Sequence, residues 1–248
     1  FSNNSATNGG AVDLTRTNSG LNDYFTWEMN RTRFLNNSAT YNGGAVRVLL
    51  AASHSIAIRD MECVGNVAAG QGGCWSAVAS TDGDGPLDWS FHSAHFEANH
   101  GQIGAAIYLL INAPDTTSLT FYNTSWIDQE ASQSATMYVD VTSVGNATLT
   151  MDEAEWTSNV AQQDASGLWL VPRGDTSMKV ALTHLSFREH EGAPVLYFQL
   201  YSTALVEVML TDIQMEDNVA PQGGIVYLLH PTGFGPVHVT LTGLDSRN

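Results

Sequence analysis

The opening twelve residues, FSNNSATNGGAV from Phe1, return almost unchanged at Phe34 as FLNNSATYNGGAV, and this internal repeat limits the fold more than any other feature of the chain. Followed in frame, the lead position falls on Phe1, Phe34, Cys63, Phe96, Trp126, Trp156, Phe187 and Met215, then on Ser246, at spacings of 33, 29, 33, 30, 30, 31, 28 and 31 residues. Eight units thus fill residues 1–248 as a single segment. Three residues after each lead stand Asn4, Asn37, Asn66, Asn99, Gln129, Asn159, His190 and Asn218; two further on, the residue is always Ala or Gly. Seven and five residues before each later lead sit apolar pairs, from Trp27 and Met29 to Val239 and Leu241. A small-residue step, GGA at Gly9 and Gly43, GGC at Gly72, GAA at Gly104 and GGI at Gly223, follows its lead at a nearly constant distance and runs into apolar alternation.

Pairs two apart are strand periodicity, since i and i+2 share one face. Three such strands per unit, with apolar residues inside and successive units stacked at about 4.8 Å, predict an all-β parallel β-helix. About eight coils of roughly 30 residues give a rod of roughly 40 Å. The Gly pairs and the small column suit tight corners. Asn4, Asn37, Asn66, Asn99, Asn159 and Asn218 are expected to form a structural ladder, each amide bonding to the coils above and below. An unpaired buried amide would cost about 1–3 kcal/mol, so the ladder should falter at Gln129 and His190.

Charge removes several function classes. With 9 Lys plus Arg against 25 Asp plus Glu, a net charge of −16 and one lysine, Lys179, the chain is a poor match for a phosphate backbone, so no nucleic-acid partner is expected. The longest strongly apolar stretch, residues 45–52, contains Arg47 and is far short of a spanning helix, so no membrane span is expected. The chain begins with Phe1, carries no signal-like start, and lacks a polar cap at either end; it is expected to be a segment of a longer protein.

Cys63 replaces the lead aromatic, and Cys74 the Ala of GGA, in the same unit. Two departures at inward columns beside one corner suggest that the side chains meet, as a disulfide or as two buried thiols. Sequons at Asn3, Asn30, Asn36, Asn123 and Asn146 are glycosylation candidates, with Asn3 and Asn36 at outward positions.

No catalytic residue, metal site or cofactor is expected. The cations are scattered over different columns and do not converge as a lyase requires. Asp152, Glu153 and Glu155 lie close together, but neighbouring units supply no acids in the matching columns for a hydrolase pair. The TDGDGP segment at Thr81–Pro86 lacks the further ligands of a calcium loop, and His92, His95 and His100 lack a metal-site spacing. Length variation is expected instead at 13–25, 79–88, 112–118 and 231–236, loops along one edge of the rod that would form its binding edge.

The FxxN motif and the GGA motif followed by Ile, Leu or Val, intact at Phe1–Val12 and Phe34–Val46, resemble the repeats of the chlamydial polymorphic outer membrane proteins. Similar repeats are also found in large extracellular proteins of algae and other protists. The resemblance implies a right-handed parallel β-helix displayed at a cell surface, with adhesion or surface assembly as its work. The expected function is therefore that of an extracellular or cell-surface structural and adhesive protein, part of a longer fibrous or filament-forming assembly. Its partners would be other copies or neighbouring segments of that assembly, and glycans. A carbohydrate-active β-helix enzyme, lyase or hydrolase, and a noncatalytic glycan-binding module are the alternatives.

Overall fold

The computed structural model describes residues 1–16, 25–51, 54–80, 85–113, 115–220 and 225–247. These residues contain no helix, and so none long and apolar enough to cross a membrane. Their strands form three parallel sheets in which hydrogen-bonded neighbours are the same segment of successive repeats. The result is a β-solenoid. Two of the sheets have eight rungs along their main path, so about seven turns separate the first rung from the last.

The twelve-stranded sheet carries the apolar pairs. Trp27, Ile56, Trp89, Leu119, Leu149, Val180, Val208 and Val239 are successive register partners, and so are the residues two further on, from Met29 to Leu241. The lead positions stack in the same sheet, Phe34 on Cys63, then Phe96, Trp126, Trp156, Phe187, Met215 and Ser246. Phe96 and Trp126 lie 4.3 Å apart between ring centroids, and Trp126 and Trp156 4.6 Å. These rings and the alternate residues of the nine-stranded sheet form one continuous core, in which Trp75, Trp89, Trp126 and Trp156 are completely buried. The third sheet, of six strands, follows the small column from Ser5–Ala6 to Val160–Ala161.

Glycine is less important to the corners than the sequence suggests. The residue three before each lead has a positive φ in every coil: Arg31, Asp60, Ser93, Asn123, Glu153, His184, Asp212 and Gly243. So does the residue two after it: Asn3, Asn36, Gly65, Ala98, Asp128, Ser158, Glu189 and Asp217. A single left-handed residue between extended stretches turns the chain, and Asn and Asp, seven of these sixteen, tolerate that conformation best. The GG pairs do a different job: the first Gly takes a positive φ at Gly9, Gly43 and Gly72. At the second, a Cβ on Gly10, Gly44 or Gly73 would collide with the next coil's backbone carbonyl.

Cys63 and Cys74 form a disulfide with Cα atoms 6.2 Å apart, within the span such a bond requires. It ties the lead column to the start of the nine-stranded sheet, and Cys63 Sγ lies 3.2 Å from the Asn66 amide nitrogen. Closing a loop of sequence separation 11 contributes about 2–3 kcal/mol by limiting the unfolded chain. Reduction is therefore expected to lower the urea midpoint measurably. Superimposable melts with and without reductant would show that the bond does not form.

The variable connections are shorter than the sequence implied. Residues 13–16, 25, 79–80, 87–88, 112–113 and 117–118 are strand, because apolar alternation continues into them; 231–236 lies outside the strands. The TDGDGP aspartates, Asp82 and Asp84, lie outside the described residues, as does the centre of the first connection.

Candidate ligand-binding face

The Asn column is a hydrogen-bonded ladder. Asn37 Oδ1 accepts from the backbone N–H and the Nδ2 of Asn4, at 3.1 and 2.9 Å. Asn66 Oδ1 accepts likewise from Asn37, both at 2.9 Å, and Asn99 Oδ1 from Asn66, both at 3.0 Å. Each Nδ2 also donates to the preceding lead carbonyl: Asn66 to Phe34 at 3.0 Å, Asn99 to Cys63 at 2.8 Å, Asn159 to Trp126 at 2.9 Å and Asn218 to Phe187 at 3.0 Å. The left-handed residue just before each ladder position takes these backbone groups out of ordinary strand pairing, and the buried amides satisfy them.

Gln129 accepts both bonds from Asn99, but its longer side chain turns back to the Ile127 carbonyl, 2.6 Å away. At His190 the side-chain ladder stops. Nδ1 lies 3.2 Å from Ser166 Oγ, and the buried Nε2 has no hydrogen-bond partner. Burial lowers the imidazole pKa to about 4, with the Trp156 backbone carbonyl a weaker opposing influence.

The remaining candidates stay apart. The five sequon residues, Asn3, Asn30, Asn36, Asn123 and Asn146, are all exposed. His95 pairs with Ser125 Oγ at 2.6 Å and with Glu97 at 3.1 Å, while His100 faces Glu130 at 3.6 Å. Asp152 holds His184 at 2.9 Å and Glu155 faces Arg188 at 4.0 Å, each across one coil. Arg33 with Glu62 and Arg47 with Asp13 repeat that pattern. Scattered charges therefore become inter-coil pairs. Among the described residues no group of three His, Cys, Asp or Glu is placed to hold a metal ion.

The outward face of the nine-stranded sheet is different, and the sequence reading missed it. Tyr108, Tyr138, Trp169, Tyr197 and Tyr227 are successive register partners and form a second aromatic column separate from the main core, in which Tyr108, Tyr138 and Tyr197 are buried, Trp169 is half-buried and Tyr227 is exposed. Ring centroids are 5.0, 4.8, 5.7 and 5.1 Å apart along it. Beside the rings, buried Asp140 accepts from Arg173 Nε at 2.9 Å and from the Tyr138 hydroxyl at 2.9 Å. Arg173 in turn lies over the Tyr201 ring. Burial, reinforced by the Asp140 charge, raises the Tyr138 pKa, so the phenol remains a donor. The signal was in the chain as IY, MY, LW, LY and VY at the start of successive strands. Its outward parity sets it apart from the periodic columns of the main core.

One coil departs from the rest. From lead to first nine-stranded-sheet residue the chain takes twelve residues in the Trp156 coil (to Leu168) and eleven in the Met215 coil (to Val226). In the Phe187 coil it takes nine, to Leu196, which corrects the expectation of a nearly constant step. The six-stranded sheet ends here, leaving only isolated bridges of Glu191 to Val160 and Val219. Gly192, with φ 91°, carries the pinched backbone against the Ala161 carbonyl, where a Cβ would clash. The missing residues leave a recess of about 410 Å³ lined by Gln162, Gln163, Asp164, Gly192, Pro194, Tyr197 and Tyr227.

The model of the Chlamydia polymorphic membrane protein (Chlamydia_PMP) repeat matches residues 31–48. That stretch runs from the left-handed corner at Arg31 through lead Phe34, ladder Asn37 and the GG pair to Val48 in the nine-stranded sheet. No curated protein and no solved structure matches the chain.

Proposed function

We propose that this chain is a noncatalytic, cell-surface β-solenoid whose work is adhesion and assembly, within a longer fibrous structure of like segments. The observation that carries this reading is the outward aromatic column: strand register stacks five rings on one face, of which Tyr108, Tyr138 and Tyr197 are buried among their neighbours while half-buried Trp169 and exposed Tyr227 offer amphipathic contact area. The match to a membrane-protein repeat supports a surface location, and the −16 charge suits an extended rod in the open medium. The inter-coil pairing of Asp152 and Glu155 with cations supports a structural role for the acids rather than hydrolysis.

Fab fragments raised against the folded segment are expected to label intact cells and to inhibit their attachment. Labelling only after permeabilisation would overturn the reading. Release of reducing ends from neutral or acidic polysaccharides, abolished by substituting one acid, would favour the enzyme instead.

A further inference from the structure

We propose that the recess left by the shortened Phe187 coil binds a neutral saccharide. The inference rests on reading the outer aromatic face as the adhesive one, and gives that face a ligand class. The recess lies between two coils of ordinary length, so it comes from a local deletion within the stack. Its volume, about 410 Å³, falls in the range of small-ligand sites and takes one or two pyranose rings.

The lining has two kinds of surface. Exposed Tyr227 and largely buried Tyr197 both line the recess, their ring centroids 5.1 Å apart and their planes at 63°, and Pro194 adds a further apolar patch. A pyranose offers the complement: an apolar face of C–H groups bordered by hydroxyls. In the same lining, exposed Gln162 and Gln163 supply amides that both donate and accept, as sugar hydroxyls do. Asp164 is aimed by the Ser134 hydroxyl, which donates to its Oδ2 at 2.6 Å and leaves Oδ1 free of that bond. A carboxylate held this way accepts from vicinal hydroxyls with charge-assisted strength. Burial and the Asp164 charge raise the Tyr197 pKa, so its hydroxyl remains a donor.

The same lining argues against other ligands. Among the described residues it contains no Lys, Arg or His, and its one carboxylate is negative. A uronate, sulfate or phosphate would meet Asp164 with no counter-charge. A wholly apolar ligand would desolvate the carboxylate and two amides without replacing their hydrogen bonds.

The test uses the purified chain, titrated by calorimetry with neutral gluco-, manno- and galacto-oligosaccharides of three to six units, and with oligogalacturonate as the anionic comparison. The expected result is binding to at least one neutral series with Kd on the order of 0.1–1 mM, typical of a shallow site. Tyr227→Ala and Gln163→Ala should each weaken it at least tenfold, whereas Tyr41→Ala, an exposed aromatic in a distant coil, should not. Both residues are exposed, and Gln163→Ala keeps the test decisive if the tyrosine variant fails to fold. No binding to any neutral series, preference for oligogalacturonate, or affinity indifferent to both substitutions would overturn the proposal. Failure here with intact-cell labelling retained removes only the ligand assignment. Binding here without surface labelling removes the surface reading.

Discussion

A His190→Asn variant is expected to keep its stability down to pH 4, whereas the parent chain loses about 3 kcal/mol between pH 6.5 and 4. His190 occupies an asparagine position in the ladder, completely buried among Phe187, Ser166 and the Trp156 backbone. Its folded pKa, about 4, lies below the ordinary 6.5, so the folded state disfavours the proton that the unfolded chain takes up. The sign follows directly: the stability is fully present above pH 6.5 and is lost as pH falls through the folded pKa. Asparagine does not titrate, and it would put an acceptor within reach of the Asn159 amide. His184 contributes in the opposite sense, because bonding to Asp152 raises its pKa and its contribution is lost as pH rises. It is fully exposed, so its effect is small. Urea midpoints measured at half-unit intervals from pH 7.5 to 4 decide the matter. Parallel pH profiles for parent and variant would show that His190 does not control acid sensitivity.

Asn66→Leu is expected to cost about 3–5 kcal/mol, the largest effect of any single substitution proposed for this chain. The volume is nearly kept, but the ladder loses its centre. Asn66 Oδ1 accepts two bonds from Asn37, and its Nδ2 donates to Asn99 Oδ1 and the Phe34 carbonyl. Removing the amide leaves the Asn37 backbone N–H and the Phe34 carbonyl without these partners in a completely buried corner. Asn4→Leu, at the partly exposed end of the ladder, should cost under about 1 kcal/mol, because water replaces what is lost. Equal destabilisation of the two variants in chemical denaturation would mean that the ladder is not what stabilises these corners.

These two residues also show how far the sequence could be read. The ladder was legible because Asn recurs at one offset from an aromatic lead, and its weak points were legible because Gln129 and His190 break the column. What happens at each break was not. Glutamine is long enough to fold back to Ile127, whereas histidine is left with a buried nitrogen and no partner. The proximity of Cys63 and Cys74 was readable as two departures at one corner; their bond depends on the 6.2 Å between their Cα atoms.

The candidate site was harder to see. The 28-residue interval after Phe187 is the shortest in the chain, yet a spacing does not say which part of the coil lost residues. Register does: the loss lies between His190 and Leu196, before the nine-stranded-sheet strand, whereas the variable loops expected to form the binding edge follow that strand. A surface loop emerges where residues are added; a recess opens where they are removed between two full-length neighbours.

The sequence by itself determined that this chain is a stack of some eight coils, which residues point inward and where the amides stack, because a repeat places like residues at one height on one face. It could not rank the outward residues, since a side chain excluded from the core is free of the packing that makes its column periodic. Only the tertiary structure decided that Tyr108, Tyr138, Trp169, Tyr197 and Tyr227 form one column, and that Asp164 lines one recess with two of those rings beside a short coil. Those contacts join residues some thirty or more apart through inter-coil register, and register is fixed by the packed core and not by any local segment.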